Sequence, residues 1–526
     1  MKKSKTKSVF LISFATFISR ILGLIREQIF AFVLGASLYA DAYLVAFRIP
    51  NLLRDLFAEG VFSSAFIPTF TDYLIKKGKR KSFELANNVI NLLSIVIIFL
   101  IFLGFIFSSE IVRIIAPGFY NLKEKYELTL IMTKILFPFL LFISLASIFM
   151  GMLNVYNIFF IPALAPALFN FVIIFGGIII ILLKPSDWVS SLLWAIFALL
   201  AGIAQFVIQI PPAYKIGFRY KIFINIKEEG IKKILKLILP ATIGLAAVQI
   251  NVIINTMIAS LLPEGTIAHL NYAFRLIQLP IGLFGVSVAT VNTAYIARNI
   301  SEKNLVELKK NVADSLKLTS FLTIPIIFYF FFLGDTIVSI IFEYGRFKSS
   351  DTLNTFYALK YYAPAIFFYS GIKILAPIFY AAEKSYKAVI ASISGVLANI
   401  IVNLTTYKFL GIKGIALGLS IGTITNFLIL NINFINLFGL IKKERILISI
   451  LKHTIASLGM LLIAKYLIFI LSNYNKIFRN LFVLILSGIF YIIFCIILKV
   501  EESQKILEII KLRVLKSQKA RIGKGS

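Results

Sequence analysis

The residues of this chain best suited to chemistry are arginines set in apolar surroundings. The stretch SRILGLIREQIFAFVLGASLYADAYLVAFRIPNLLRDLFAEGVFSSAFIP, from Ser19 to Pro68, is long enough for two membrane-crossing helices, yet it carries Arg20, Arg26, Arg48 and Arg54. Glu27, Asp41, Asp55 and Glu59 lie in the same stretch. A charge at the centre of a bilayer costs about 2.5–3.5 kcal/mol on insertion scales, so such residues face a bundle interior or a wet cavity. Arginine never loses its charge and offers a planar, bidentate fork to phosphate and carboxylate. With Arg275, from a later apolar segment, Arg20, Arg26 and Arg54 therefore suit an anionic ligand, most naturally a phosphate or pyrophosphate. The competing arrangement is internal pairing: Arg26 with the neighbourhood of Glu27, and Arg48 with Asp55 or Asp41, seven residues away on the same helical face. For Arg48 the internal pairing is favoured. Lys373, close to Pro377, is a second-half contact candidate, whereas Lys134 and Lys465 can snorkel to the interface.

The elements that must position these side chains are membrane helices. Of the 526 residues 59% are hydrophobic, above the 45–50% or so of a soluble protein, and mean hydropathy is +0.92. The excess is gathered in runs such as 89–107 and 171–183, too long for strands and without the alternation of a barrel. With no water to satisfy the backbone in hydrocarbon, the spans are helices. Fourteen are expected, at about 8–35, 39–74, 84–108, 127–153, 157–183, 188–214, 231–262, 266–297, 312–334, 353–381, 386–407, 414–439, 447–471 and 478–498.

The net charge of +30 resides largely in the loops. One alternate set is strongly basic, with clusters at 76–81, 215–236, 298–317 and 442–452, while the other set is poor in Lys and Arg. This is the positive-inside pattern and places both termini in the cytoplasm. It also argues against nucleic acid as the partner. The apolar stretch at the N-terminus continues past a signal peptide's length without a small-residue cleavage site, and reads as a retained first span.

A single cysteine, Cys495, excludes an intramolecular disulfide. The two histidines, His269 and His453, stand alone at expected helix starts, and no metal site or cofactor is expected. No HExxH, GxSxG or Walker A sequence is present, so the chain reads as a transporter rather than an enzyme. Its driving force must then be an ion gradient, the membrane potential or the substrate's own fate.

An internal repeat is visible. Pro138-x5-Ser144 recurs as Pro364-x5-Ser370 after 226 residues, and Asn170 falls near Asn399 after 229. Six spans intervene, so the halves are parallel repeats. Expected domains are an N-lobe at 1–222, a C-lobe at 223–440, two further spans at 441–500 and a tail at 501–526. Pro50, Pro240, Pro280 with Gly282 and Gly285, and Pro377 interrupt spans where hinges could lie. In the tail, Ile506, Leu507, Ile510 and Val514 recur at helical spacing among basic residues, the pattern of an amphipathic helix on an anionic leaflet.

SRILGLIRE, followed by GASLYADAYLVAFRIPNLLRDLFAEGVFSSAFIPTFTDY, closely resembles the N-terminal signature of the MurJ (MviN) lipid II flippases, of the multidrug/oligosaccharidyl-lipid/polysaccharide exporter superfamily. LNYAFRLIQLPIGLFGVSVAT and FEYGRFKSSDT with KILAPIFYA resemble later segments of that family. The resemblance implies an all-α fold of two six-helix lobes around a central cavity, with two extra helices forming a groove for the lipid tail. It implies a substrate, the undecaprenyl-pyrophosphate-linked peptidoglycan precursor, moved from the inner to the outer leaflet of the bacterial cytoplasmic membrane by alternating access. Membrane lipids and other cell-wall synthesis proteins are the further partners it implies. Arg20, Arg26, Arg54 and Arg275 match the family's cavity arginines, and Asp41 an acid near the outer end. Glu27 stands where many members carry Asp, and Gln278 where many carry Glu. Empty, the arginines call for a monovalent counter-ion, or for Asp41 and Glu59, to reset the cavity. Another exporter of the superfamily, moving a drug or a different polysaccharide lipid, is the alternative. A membrane glycosyl- or phosphotransferase is a remoter one, and would need catalytic acids in the outer loop near 110–127.

Overall fold

The computed structural model describes residues 2–54, 61–440, 443–505 and 507–508, with side chains described from 14 onward except at 61–64, 239–248, 294 and 443–445. Among the described residues there are helices and connecting turns and no strand. The helices are α1 (Lys2–Leu34), α2 (Leu38–Arg54), α3 (Val61–Ile106), α4 (Ser108–Ile115), α5 (Lys123–Leu136), α6 (Phe139–Val155), α7 (Phe160–Leu183), α8 (Asp187–Val207), α9 (Ile210–Lys215) and α10 (Glu229–Ser260). They continue as α11 (Thr266–Pro280), α12 (Val286–Ser301), α13 (Leu305–Phe332), α14 (Gly334–Phe342), α15 (Ser349–Tyr362), α16 (Ala365–Ala381), α17 (Ser385–Leu410), α18 (Ile412–Phe438), α19 (Lys443–Ile470) and α20 (Lys476–Ile497).

Ten helical segments of the described residues are long and apolar enough to cross a bilayer, or eleven when α15 and α16, bent by 42°, count as one. The expected fourteen is not reached by this measure. The second and third expected spans are joined in α3, which turns at Gly78 (φ 79°, ψ 174°), a conformation open to glycine. The second is itself divided, because α2 ends at Arg54 and α3 begins at Val61. Asp55 and Glu59 fall between them and lie outside the described residues.

The internal repeat is far more extensive than two sequence matches suggested. α5 and α6 have 14 and 17 residues, and so do α15 and α16, displaced by 226. Pro138 and Pro364 start the second member of each pair, where a missing N–H costs no helical bond. Ser144 and Ser370 are both fully buried. The same displacement carries α4 onto α14, and the part of α3 beyond Gly78 onto α13. Among the described residues α19 and α20 have no helix matched to them at this displacement.

The chain forms two compact units: Met1–His269 with Phe342–Asp351, and Leu270–Ile341 with Thr352–Ser526. In the first, Phe66, Phe70, Phe83, Phe149 and Phe218 pack one apolar core joining α3, α6 and the start of α10. In the second, Leu308, Ile374, Phe379, Phe427 and Phe434 join α13, α16 and α18. A separate cluster, Phe321, Met460, Tyr491 and Cys495, fastens α19 and α20 to α13. Within the second unit the helix does not break at Pro280. A π turn at Ile281–Gly285 absorbs the missing hydrogen bond and leads into α12.

Candidate functional site

α1 presents the first arginines. Arg20 is exposed, while Arg26, about two turns on, is largely covered. The Arg26 guanidinium donates to Glu27 Oε1 at 2.5 Å and to Asn170 Oδ1 at 3.1 Å. Asn170, on α7, donates in turn to the Ser19 carbonyl at 3.0 Å, so one amide ties the arginine to its own helix. The Phe169 ring lies 5.9 Å from the guanidinium carbon. Successive helix residues do not normally face each other, so Arg26 reaches sideways to meet Glu27. The pair is locally neutral but leaves guanidinium N–H groups for a further acceptor.

α2 carries the next two. Arg48 donates to Thr256 Oγ1 on α10 at 2.8 Å, and the Thr256 hydroxyl donates in turn to the Val252 carbonyl. Arg48 was expected to meet Asp55 or Asp41. Asp41 is engaged elsewhere, and Asp55 lies outside the described residues. Arg54 closes α2 in its last turn, where a cation offsets the helix dipole.

Asp41 sits at 1% exposure among protein partners. Its carboxylate accepts from Lys125 Nζ at 2.7 Å and from the Gly265 N–H at 2.8 Å, both on Oδ2, and from the Ala268 N–H at 2.9 Å on Oδ1. It thus caps the α11 N-terminus from a distant part of the chain, as a helix dipole favours. Lys125, itself buried, also lies 4.1 Å from the centre of the Phe119 ring. Three of the roughly four acceptor positions of the Asp41 carboxylate are thus taken by protein groups in this structure. Around it, Leu38 N–H donates to Glu264 and Arg346 N–H to the Phe32 carbonyl, and Arg346 pairs with Asp187.

In the second unit Arg275 lies on α11, exposed, and donates to Gln278 one turn on at 3.4 Å. Gln278 thus serves Arg275 as a neutral acceptor where a carboxylate would have neutralised it. Lys373 is exposed on α16 with Tyr369 beside it, its Nζ 5.5 Å from the ring centre. Lys134 and Lys465 are exposed, as snorkelling requires. Glu59 lies outside the described residues.

Sequence reasoning missed Asn170 as the support of Arg26, Thr256 as that of Arg48, and Lys125 as the partner of Asp41. The asparagine in the apolar run of α7, which also marks the repeat, is the signal the sequence offers for the first of these. His453 also differs from expectation. It is fully buried on α19, hydrogen-bonded to Ser320 at 3.0 Å, with Nε2 3.5 Å from Glu502 in the tail. The first residues of the tail are thereby docked on the bundle, and Lys317 Nζ meets Glu501 at 3.0 Å. His269 stands where α11 starts, 3.8 Å from Asp351. Among the described residues no group of His, Cys, Asp and Glu is arranged to hold a metal ion.

Comparison with known proteins bears on the family of the chain. The chain is 34% identical to the probable lipid II flippase MurJ of Buchnera aphidicola subsp. Acyrthosiphon pisum, over 92% of this chain and 96% of that protein. It is 33% identical to the lipid II flippase MurJ of Burkholderia cenocepacia, over 81% of this chain and 82% of that one. A solved structure of lipid II flippase MurJ in an inward closed conformation superposes with a TM-score of 0.78 at 31% identity, covering 93% of this chain and 98% of the other. An inward-facing multidrug transporter of the MATE family, in the MOP superfamily, shares the fold at a TM-score of 0.61 and 17% identity, over 82% of this chain and 95% of that one. The sequence model described as lipid II flippase MurJ matches residues 30–488, and the chain belongs to that family.

Proposed function

We propose that this chain is a lipid II flippase, which carries the undecaprenyl-pyrophosphate-linked peptidoglycan precursor from the inner to the outer leaflet of the bacterial inner membrane. The observation that carries the reading is family membership over most of the chain, joined to Arg26, an arginine of an apolar helix held by Asn170. A pyrophosphate needs cations that stay charged in a low dielectric, and Arg20, Arg26, Arg54 and Arg275 supply them. Asn170 holds Arg26 in place while leaving donors for the phosphate oxygens. Glu27 occupies the guanidinium when no substrate is bound and yields to the more highly charged pyrophosphate.

Alternating exposure of the arginines to the two sides of the membrane then moves the headgroup, the prenyl chain remaining in lipid. An inside-negative potential favours outward movement of an anion by about 2.3 kcal/mol per charge for each 100 mV crossed. The basic loops put both termini in the cytoplasm. A monovalent counter-ion resets the empty arginines.

The test is binding of lipid II to the purified protein, wild type against Arg26→Ala and Arg275→Ala, with undecaprenyl phosphate as competitor. Binding lost in both variants is the expected result. Equal binding by all three proteins would assign the arginines to structure and send the reading back to other exported ligands.

A further inference from the structure

The connection between α9 and α10 holds an arrangement that transport does not explain. Residues 219–225 run without helix or strand, yet their polar backbone is systematically paired. Asn87, on α3, donates to the Arg219 carbonyl at 3.0 Å and accepts the Lys221 N–H at 3.0 Å. Asn91 donates to the Lys221 and Phe223 carbonyls at 3.0 and 3.2 Å. Asn88 donates to the Asn225 carbonyl at 2.8 Å and accepts its N–H at 2.9 Å, while its amide also reaches Glu228. All three asparagines are buried. The bonds fall on residues 219, 221, 223 and 225, the period of an extended chain lying with one edge against a helix.

The side chains keep the same period. Tyr220, Ile222 and Ile224 occupy the even positions of the extended run and Arg219, Lys221, Phe223 and Asn225 the odd ones, while Ile226 and Lys227 follow in the turn that leads to α10. The apolar row is open: Ile222 is 83% exposed and Ile224 50%, with Ile226 of the following turn at 65%. The site of attachment decides what faces it. Asn87 and Asn91 continue, at helical spacing, into Ile95, Ile98, Phe99 and Phe102 on the same stripe of α3, and all four of these large side chains are exposed. In a membrane protein that stripe meets lipid. The strap therefore lies on the lipid-facing flank at the end of the span that bears the basic loops. Its other backbone edge, at 220, 222 and 224, makes no hydrogen bond to a described residue. Such an edge would be costly in hydrocarbon, so it belongs at headgroup depth, where water and phosphates reach it.

We infer that residues 219–227 form an interfacial strap that seats its isoleucines at the headgroup boundary and binds the phosphates of anionic phospholipid through Arg219, Lys221 and Lys227. The asparagine clasp does for this segment what a neighbouring strand does in a sheet. It pays for one edge of the backbone, so that an extended chain can lie against lipid. The leaflet is the cytoplasmic one under the orientation proposed above, but the depth of the strap is measured without reference to that orientation or to lipid II.

The experiment uses the full chain with Cys495→Ser, carrying a spin label at Ile224→Cys, in nanodiscs of phosphatidylcholine with or without phosphatidylglycerol. Collision with oxygen against a water-soluble nickel reagent should place the label at phosphate depth. Phosphatidylglycerol retained on the purified protein, weighed by mass spectrometry against phosphatidylcholine, should drop about fivefold or more when Arg219, Lys221 and Lys227 are replaced by Gln. In a second variant, Asn88→Leu, exchange of the Asn225 amide, whose N–H donates to Asn88, should quicken while the Lys221 amide, held by Asn87, and the rest of α3 are unchanged. A label as nickel-accessible as a free aqueous loop in both lipid mixtures, or phosphatidylglycerol retention unaffected by the triple change, overturns the inference.

Discussion

Asp41 and Lys125 form an ion pair 2.7 Å long with both side chains at most 4% exposed, and the carboxylate simultaneously caps α11 through Gly265 and Ala268. Removing one partner of such a pair leaves an uncompensated buried charge, at about 3–5 kcal/mol. Lys125→Met should therefore lower the thermal midpoint of the purified protein by many degrees. Asp41→Asn should do at least as much, because it weakens the cap as well. The double variant should be less damaged than the sum of the two single ones. Additive losses would show that the ammonium and the carboxylate are stabilised independently.

Arg26, Glu27 and Asn170 make a second prediction, about binding rather than folding. Glu27→Gln removes the group that occupies the guanidinium and should tighten pyrophosphate-lipid binding severalfold. Asn170→Ala should weaken it, with the helix intact, by leaving the arginine unsupported. Arg26→Lys should not restore binding, since a point charge lacks the bidentate fork. Isothermal titration with lipid II reads all three. Unchanged affinity in Glu27→Gln would mean that the Arg26–Glu27 pair persists in the bound state.

Gly118 is packed so that a Cβ there would lie 1.9 Å from the Ser260 carbonyl oxygen, and its N–H meets Ser260 Oγ at 3.1 Å. The obstacle is backbone, which cannot swing aside as a side chain can. Gly118→Ala should cost about 1–3 kcal/mol or more by forcing the turn before α5 away from the end of α10. The yield of monodisperse protein from detergent and its thermal midpoint are the readouts. Gly411→Ala is the comparison, because nothing lies within 4 Å of its Cβ position. Gly411 has a positive φ and Gly118 does not, so Gly411→Ala reads backbone strain without packing and Gly118→Ala reads packing without that strain.

Glu502 links stability to pH. Burial by itself pushes its carboxyl up, but the facing His453, the backbone and the Lys317 ammonium outweigh burial and hold it below its ordinary 4.5. A depressed carboxyl contributes stability at neutral pH, begins to lose it as the pH falls past 4.5, and has none left below its folded value. Glu502→Gln should therefore lower the thermal midpoint at pH 7, and the difference from wild type should vanish in acid. A difference that stays constant from pH 7 to pH 3.5 would assign the effect to packing alone.

The sequence by itself determined that the chain is a bundle of membrane helices with charged residues in its first hairpin, because hydropathy and length suffice to select helices where backbone must satisfy itself. It also carried the repeat, whose Pro138 and Pro364 mark corresponding breaks, and the family signature in residues 19–73. What it could not carry was partnership. Asp41 and Arg48 share a helical face in the sequence, yet Asp41 turns to Lys125, 84 residues on, and Arg48 to Thr256, 208 residues on. Helical periodicity says which side of a helix a residue occupies, but not which other helix packs there. The second span likewise looked continuous from 39 to 74, since hydropathy is blind to a chain that ends one helix at Arg54 and begins another at Val61. Nothing in the sequence sets the asparagines at 87, 88 and 91 apart as a group with a shared task. Only the tertiary structure, by laying residues 219–225 across them, made them the hydrogen-bonding edge of a strap. Hydrogen bonds between segments more than a hundred residues apart are decided by packing geometry, and that geometry is a property of the folded chain.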